Sequence, residues 1–465
     1  MCYGRGCHVT FCNCHFDLGT NIVALAGASV HLTGCTFTRN GFNVVFAHAC
    51  GTCVTLKSCF FTGGVHPVTV AGGASVTVTG STFNRPLGTA MDARDKGSLL
   101  KAEKCRVQGA GPTAMHAQHS PSGTRSTGSN LAPARGVLVY MGARLELKSA
   151  DITNVGVGFA VFQRSAAVLT GCSVATTTEV TSSAKATVCV LSNDSNVELS
   201  NCVLKAKQDS NNPMICGICA LGSSVKLQGC RVLSGREGVA MYGSKGVLAD
   251  CEFEFCVASM LATDHSALDM RACVCKKTPR YGVMVKKSDC RLEGGTVAGS
   301  AVGFSIENIQ SYAEIAECKA MDVMGPGLLV SGAGARVHVQ GFQVRVAVQR
   351  LALEVCSRAV GICVSTAAKV DLDNFKVAEG PGGAAVVAAG DGTEVQCEDC
   401  QLSGGTGASA EDGAQMALRR CATHECVTTG YSAWKRAVLN LHNCKSTGDC
   451  CGFYSREQGL SLIHI

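Results

Sequence analysis

A cysteine recurs in this chain at a fixed place within a degenerate repeat: Cys14, Cys35, Cys59, Cys105, Cys172, Cys202, Cys230, Cys251, Cys273, Cys318, Cys400, Cys421 and Cys444. With the cysteine as position zero, apolar residues stand five and three before it and usually two after. Val30-His31-Leu32-Thr33-Gly34-Cys35-Thr36-Phe37 shows the unit, and Val54-Thr55-Leu56-Lys57-Ser58-Cys59-Phe60-Phe61 repeats it. Ser81, Ala150, Gly295, Phe342 and Phe375 take the cysteine's place in five more units, giving 18, most of them 21 to 25 residues apart. Gaps of 45, 30, 28 and 33 residues read as loop insertions. A self-similar period of this length implies a solenoid, in which each unit buries its apolar face against its neighbours.

Parity within the unit predicts its shape. Side chains alternate along a strand, so positions minus five and minus three share one face. Positions zero and plus two share a face as well, but the odd step between the pairs would turn them outward. All four point inward only if the chain bends at minus one. Gly34, Gly80, Gly171, Gly229, Gly294 and Gly341 stand there, with Asn13, Asn201, Asn374, Asn443, Asp250 and Asp399. These residue types tolerate a left-handed backbone. A third apolar run follows, often opened by glycine, as in Gly238-Val239-Ala240-Met241 and Gly327-Leu328-Leu329-Val330. The expectation is an all-β parallel β-helix of about 18 coils with three short strands each, continuous over residues 1–456, with 457–465 a tail or the start of a further coil.

The three-strand coil, the Asn/Gly bend and the variable third corner resemble the right-handed parallel β-helix of the pectin lyase-like superfamily. That group includes pectate lyases, polygalacturonases and non-enzymatic β-helix repeat proteins. The resemblance covers residues 8–456 and concerns the fold; right-handedness is implied by it rather than shown by the spacing. Enzymes of this fold would bring clustered acids for calcium with a basic residue, or three aspartates with a histidine and an Arg-x-Lys element. This chain has no Asp-Asp pair, no Gly-His-Gly and no Asn-Thr-Asp; Arg94-Asp95-Lys96 mimics only the last element. The resemblance therefore points to the non-catalytic branch.

Composition excludes other classes. A net charge of +6 over 465 residues, with no basic run, does not suit nucleic acid. No apolar stretch is long enough to span a bilayer. Met1 is followed almost at once by a strand-type repeat with no signal-peptide pattern, and the chain stops soon after the third strand of a coil, so it reads as a fragment. Of 30 cysteines, 13 form the core column. Their stacking at about 4.8 Å exceeds the usual disulfide Cβ separation, so reduced thiols are expected there. The pairs Cys50/Cys53, Cys216/Cys219 and Cys397/Cys400 have Cys-x-x-Cys spacing, but no matched second pair makes a zinc ribbon.

Candidate sites are few. Asp391-Gly392 and Asp412-Gly413 hold the same place in adjacent coils, and Lys435 holds it in the next. They are a calcium site, or a catalytic carboxylate pair whose pKa values split with Lys435 beside it, or ordinary turn dipeptides; the turn is preferred. Asp264-His265 at the same corner also reads as a solvated turn. Tyr140, Tyr242, Trp434 and Tyr454 fall on or near third strands, with Tyr140 and Tyr242 outward by parity. Flat rings on a ridged sheet suit sugar stacking. The insertion 112–134, with His116 and His119, reads as a surface loop.

The preferred reading is a non-catalytic scaffold that presents a long surface to a polysaccharide, a glycan or a protein. Two alternatives stand beside it. One is a polysaccharide lyase or glycoside hydrolase with an atypical or missing catalytic set; the other is a structural or adhesive surface protein. Compartment and oligomeric state stay open, since Asn193-Asp194-Ser195 is a single sequon.

Overall fold

The computed structural model describes residues 1–17, 22–40, 42–109, 135–176, 187–206, 215–308, 312–346, 360–378, 383–456 and 460–464. The insertion 112–134, with His116 and His119, lies outside them. The described residues form β-strands and no helix, so none is long and apolar enough to cross a membrane. Internal contacts divide the chain into two compact units, Met1–Ala240 and Met241–Ile465.

In the first unit, the first strand of every coil stacks in parallel on that of the next. Ser29, Cys53, Ser75, Leu99, Arg144, Ala166, Asn196 and Ser224 are successive partners in this ladder. Second strands such as Thr36–Asn40 and Phe60–Gly63, and third strands such as Asn43–His48 and His66–Ala71, stack the same way. The expected inward set is buried: Val30, Leu32, Cys35 and Phe37 are each at most 1% exposed. At position plus two, Phe16, Phe37, Phe61 and Phe83 form a column of parallel rings with centroids 4.8, 4.7 and 4.9 Å apart. That offset stacking adds to the burial of their area.

The second unit repeats the plan. Its first strands run from Lys245–Ala249 to Leu460–His464, and the last pairs Leu460 with Val438. Leu268, Met270, Cys273 and Cys275 point inward in one coil, and Val337, Val339, Phe342 and Val344 in another. Where phenylalanine replaces the cysteine, the rings meet one another: Phe342 lies 5.6 Å from Phe304 and 6.2 Å from Phe375.

The bend occurs in all 18 units, with φ between 49° and 64° at the minus-one residue. Twelve of these positions hold Gly, Asn or Asp; the other six are Ser58, Lys104, Ser149, Ala272, Glu317 and Arg420. A left-handed conformation costs such residues about 1–2 kcal/mol. The ladder between coils holds it in place. The minus-one N–H donates to the minus-two carbonyl of the next coil, as Lys104 does to Lys148 O at 2.9 Å and Ala272 to Glu293 O at 2.8 Å. Breaking the bend would strand a backbone donor on each side of the sheet.

The column thiols join this network. Cys202 Sγ donates to Ser200 O at 3.4 Å in its own coil and lies 3.6 Å from Leu169 O in the preceding one. Cys59, Cys172, Cys230 and Cys400 repeat the pattern. Ser81 shows the same geometry with oxygen: its Oγ donates to Thr79 O at 3.2 Å and accepts from Cys59 N at 3.1 Å. Position zero thus calls for a small side chain with one weak donor.

Two substitutions test these points. Lys104→Gly and Ala272→Gly are each expected to raise stability by roughly 0.5–1 kcal/mol, read from the urea midpoint, because glycine removes the left-handed penalty. A lower midpoint in both would contradict the bend account. Cys202→Ser should cost less than about 1 kcal/mol and no more than Cys202→Ala, since the hydroxyl can donate to Ser200 O as Ser81 Oγ does to Thr79 O.

Candidate functional site

An aromatic groove on the described surface of the second unit is built by four stacked third strands: Ala384–Ala389, Thr406–Glu411, Thr429–Trp434 and Phe453–Arg456. Val387, Ser409, Ser432 and Tyr454 are successive partners across them. Ala408, Ala410 and Ala433 point inward and are fully buried, so alternation puts Ser409, Glu411, Ser432 and Trp434 on the outer face. The outer side chains of these strands line one concave surface. The groove has a volume of about 620 Å³ and is lined by Thr406, Ser409, Glu411, Thr428, Trp434 and Tyr454, among others.

Its chemistry is a row of hydroxyls ending at a carboxylate, beside two rings. Ser432 Oγ donates to Ser409 Oγ at 3.0 Å, and Ser409 Oγ donates to Glu411 Oε1 at 2.8 Å. The Thr406 and Thr428 hydroxyls lie 2.9 Å apart, and Thr428 donates to Gly405 O at 2.6 Å. The Trp434 and Tyr454 ring centroids are 5.3 Å apart, tilted by 48°. Asp449 fixes the neighbouring corner by accepting from Cys426 N at 2.7 Å, Thr423 Oγ1 at 2.5 Å and Ser446 Oγ at 2.6 Å. Burial pushes the Asp449 carboxyl up, but the donors outweigh it and hold it below the usual range.

Of the aromatics marked in the sequence, the structure brings together Trp434 and Tyr454. Tyr140 and Tyr242 do not line this groove. Asp412 and Lys435 do meet, with Nζ 3.1 Å from Oδ1, as an exposed ion pair at the corner beside it. Asp412 turns there with φ 52°, as does Lys435 with φ 48°, in keeping with the turn reading. Asp391 is exposed at the same corner. Among the described residues, no group of three or more His, Cys, Asp or Glu side chains is placed to hold a metal ion. Asp264 and His265 are exposed, with φ 55° and 63°, and the His265 N–H donates to Lys287 O at 2.8 Å. The residues that sequence reasoning passed over are Glu411, Ser409 and Ser432. The inward alanines on either side of Ser409 were the signal that could have found them.

A second constellation lies on the third-strand sheet of the first unit. Asp92 is 2% exposed, with Oδ2 3.3 Å from Arg94 Nη2. Its Oδ1 and Arg94 Nε are buried without a hydrogen-bond partner among the described residues. Burial pushes the Asp92 carboxyl up to about 6; Arg94 and Arg135 oppose the shift, and Asp95 adds to it. Arg135 is lowered by the same burial, and Tyr140 is raised by burial and by the Asp92 charge. In the Arg94-Asp95-Lys96 tripeptide, Asp95 Oδ2 accepts from Gly72 N at 3.0 Å, which is a corner role.

The family described as the right handed beta helix region matches residues 135–297 and 188–344. No curated protein matches the sequence. Among solved structures, the chain is similar to one in the cryo-EM structure of the Vag8–C1 inhibitor complex, at 13% identity, covering 95% of this chain and 99% of that one, with a TM-score of 0.34. It is also similar to the PL6 family alginate lyase AlyGC, at 7% identity, 99% and 98% coverage and a TM-score of 0.29. A third is the family 28 exopolygalacturonase of Yersinia enterocolitica, at 9% identity, 94% and 73% coverage and a TM-score of 0.26. Likeness at this level says nothing of activity, so function must be argued from this chain's own residues.

The Asp92 environment has a pH signature. A carboxyl raised in the folded state favours folding fully below its unfolded value near 4, and that stability is lost as pH rises through about 6. Between pH 3.5 and pH 7.5, Asp92→Asn should therefore gain roughly 2–3 kcal/mol relative to the parent, read by denaturant unfolding at each pH. A difference that stays flat across that window would contradict the burial argument.

Proposed function

Starting from a right-handed β-helix repeat protein, we propose that the chain is a non-catalytic scaffold whose third-strand groove in the second unit binds a polysaccharide or glycan chain. The observation that carries this reading is the juxtaposition of Trp434 and Tyr454 with the Ser432–Ser409–Glu411 hydrogen-bond row in one groove. A sugar ring has an apolar face that stacks on an aromatic ring and an equatorial rim of hydroxyls that both donate and accept. The groove offers a partner for each: rings for the face, and for the rim the Thr406, Thr428 and Thr429 hydroxyls and the Glu411 carboxylate, which the buried Ser409 and Ser432 hold in place.

The acid complement supports binding over cleavage. Glycoside hydrolysis ordinarily uses two carboxyl groups flanking the bond. Among the described groove-lining residues Glu411 is the single acid, and Asp412 beside it is engaged by Lys435 at the corner. The rigid parallel ladder under the groove fixes the rings before a ligand arrives, which reduces the ordering cost of binding.

Glycan-array binding followed by titration tests this. Trp434→Ala is expected to weaken retained glycans roughly tenfold, about 1–2 kcal/mol, from the loss of stacking. Tyr140→Ala should leave binding unchanged, because Tyr140 does not line the groove. Release of new reducing ends or unsaturated uronides by the purified chain, abolished by Asp412→Ala, would favour the enzyme alternative instead.

A further inference from the structure

We propose that Cys2 and Cys7 are a disulfide-forming pair, oxidised by a low-molecular-weight disulfide such as oxidised glutathione, that staples the corner between the third strand Cys2–Tyr3 and the first strand His8–Cys12. Their Sγ atoms lie 2.7 Å apart, too close for two unbonded sulfurs to rest. A disulfide bond is about 2.05 Å long, so closure needs a movement of only about 0.7 Å.

The next coil holds both ends of this corner. Cys2 and Tyr3 pair with Ala24 and Leu25. Gly4 N donates to Leu25 O at 3.2 Å, and Ser29 N donates to Cys7 O at 2.9 Å. Within the corner, Cys7 N donates to Gly4 O at 3.2 Å, with Gly4 at φ 96° and Gly6 at φ 86° making the tight turn. Backbone fixed on both sides leaves closure little entropy to overcome.

The sequence singles out the same coil. Cys2 heads a column of strand partners that continues with Ala24, Ala47, Val70 and Ala93. Cys7 heads the column whose carbonyls accept from the opening residue of the next first strand, and Ala28, Thr52, Ala74 and Ser98 follow it. Two columns of small or apolar residues thus turn to cysteine together, and the two thiols meet within one coil. The position-zero cysteines instead stack from coil to coil and donate to carbonyls, as Cys202 does to Ser200 O.

Cys7 is the more exposed of the two, so the small disulfide reaches it first. The Cys7 thiolate attacks it, giving a mixed disulfide and releasing one small thiol. The Cys2 thiolate then attacks the Cys7 sulfur and releases the second. Two protein thiols are oxidised to one disulfide, the small disulfide is reduced to two thiols, and the two protons pass to the departing thiolates.

Arg5 lies inside the closed loop, which makes the bond directly readable. The full chain is equilibrated in glutathione buffers from reduced to oxidised, quenched in acid, labelled with N-ethylmaleimide in denaturant, and cut with trypsin and chymotrypsin. In the oxidised buffers, mass spectrometry should find the segments from residues 1–5 and 6–11 joined, parted by reduction and two labels short, while Cys202 and Cys230 stay labelled. Full labelling of Cys2 and Cys7 in those buffers overturns the proposal, as does Cys2 joined to Cys12 or Cys14. Joining that appears only where Cys202 and Cys230 also lose their labels overturns the claim that this corner is singled out.

Discussion

Every other feature of this protein depends on one hydrogen bond repeated from coil to coil: the donation from the left-handed minus-one residue to the minus-two carbonyl of the next coil. It fixes the bend, and the bend reverses parity so that four side chains per coil reach the interior. Val30, Leu32, Cys35 and Phe37 are buried together only because Gly34 turns between them, and its N–H meets Lys57 O at 2.9 Å. The strength of this coupling shows in residues that would not choose the conformation alone. Lys104, Ala272 and Glu317 adopt it because the ladder on both sides leaves their amides one acceptor.

The cysteine follows from the same geometry. The side chain after the bend enters a narrow column beneath carbonyls of its own and the preceding coil. A thiol fills that space as a small apolar group and still offers a weak donor. Ser81 does the same with a hydroxyl, whereas Phe342 and Phe375 fill the place with rings that stack on each other. Burial pushes the Cys318 thiol up to about 12, far from the reactive range. The abundance of cysteine is thus a consequence of coil shape, and chemistry is displaced to the outer face of the third strand.

That displacement explains which parts could be read in the sequence and which could not. The inward columns were legible, because apolar residues repeat at fixed offsets from a bend. Trp434 and Tyr454 were legible as rings on or near third strands, though parity marked only Tyr140 and Tyr242 as outward; the meeting of Trp434 and Tyr454 in one groove depends on which strands stack. Glu411 was passed over for Asp412 next to it. Asp-Gly is a conspicuous turn signal, whereas Glu411 ends a strand of small residues. The structure turns the chain at Asp412, φ 52°, and leaves Glu411 as the last outward residue of the sheet. Asp92 was hidden in the same way by Arg94-Asp95-Lys96, because its burial depends on neighbours from other coils rather than on local pattern.

The central claim is that the outer third-strand face of the second unit is a sugar platform held rigid by the ladder beneath it. A diffraction structure of the chain with an oligosaccharide that it retains tests this most directly. The account predicts a pyranose ring stacked on Trp434 and Tyr454, with hydroxyls bonded to Glu411 and the strands beneath unmoved. Sugar density on the first-strand face or at the Asp391–Asp412 corner, with the Trp434 groove empty, would contradict it.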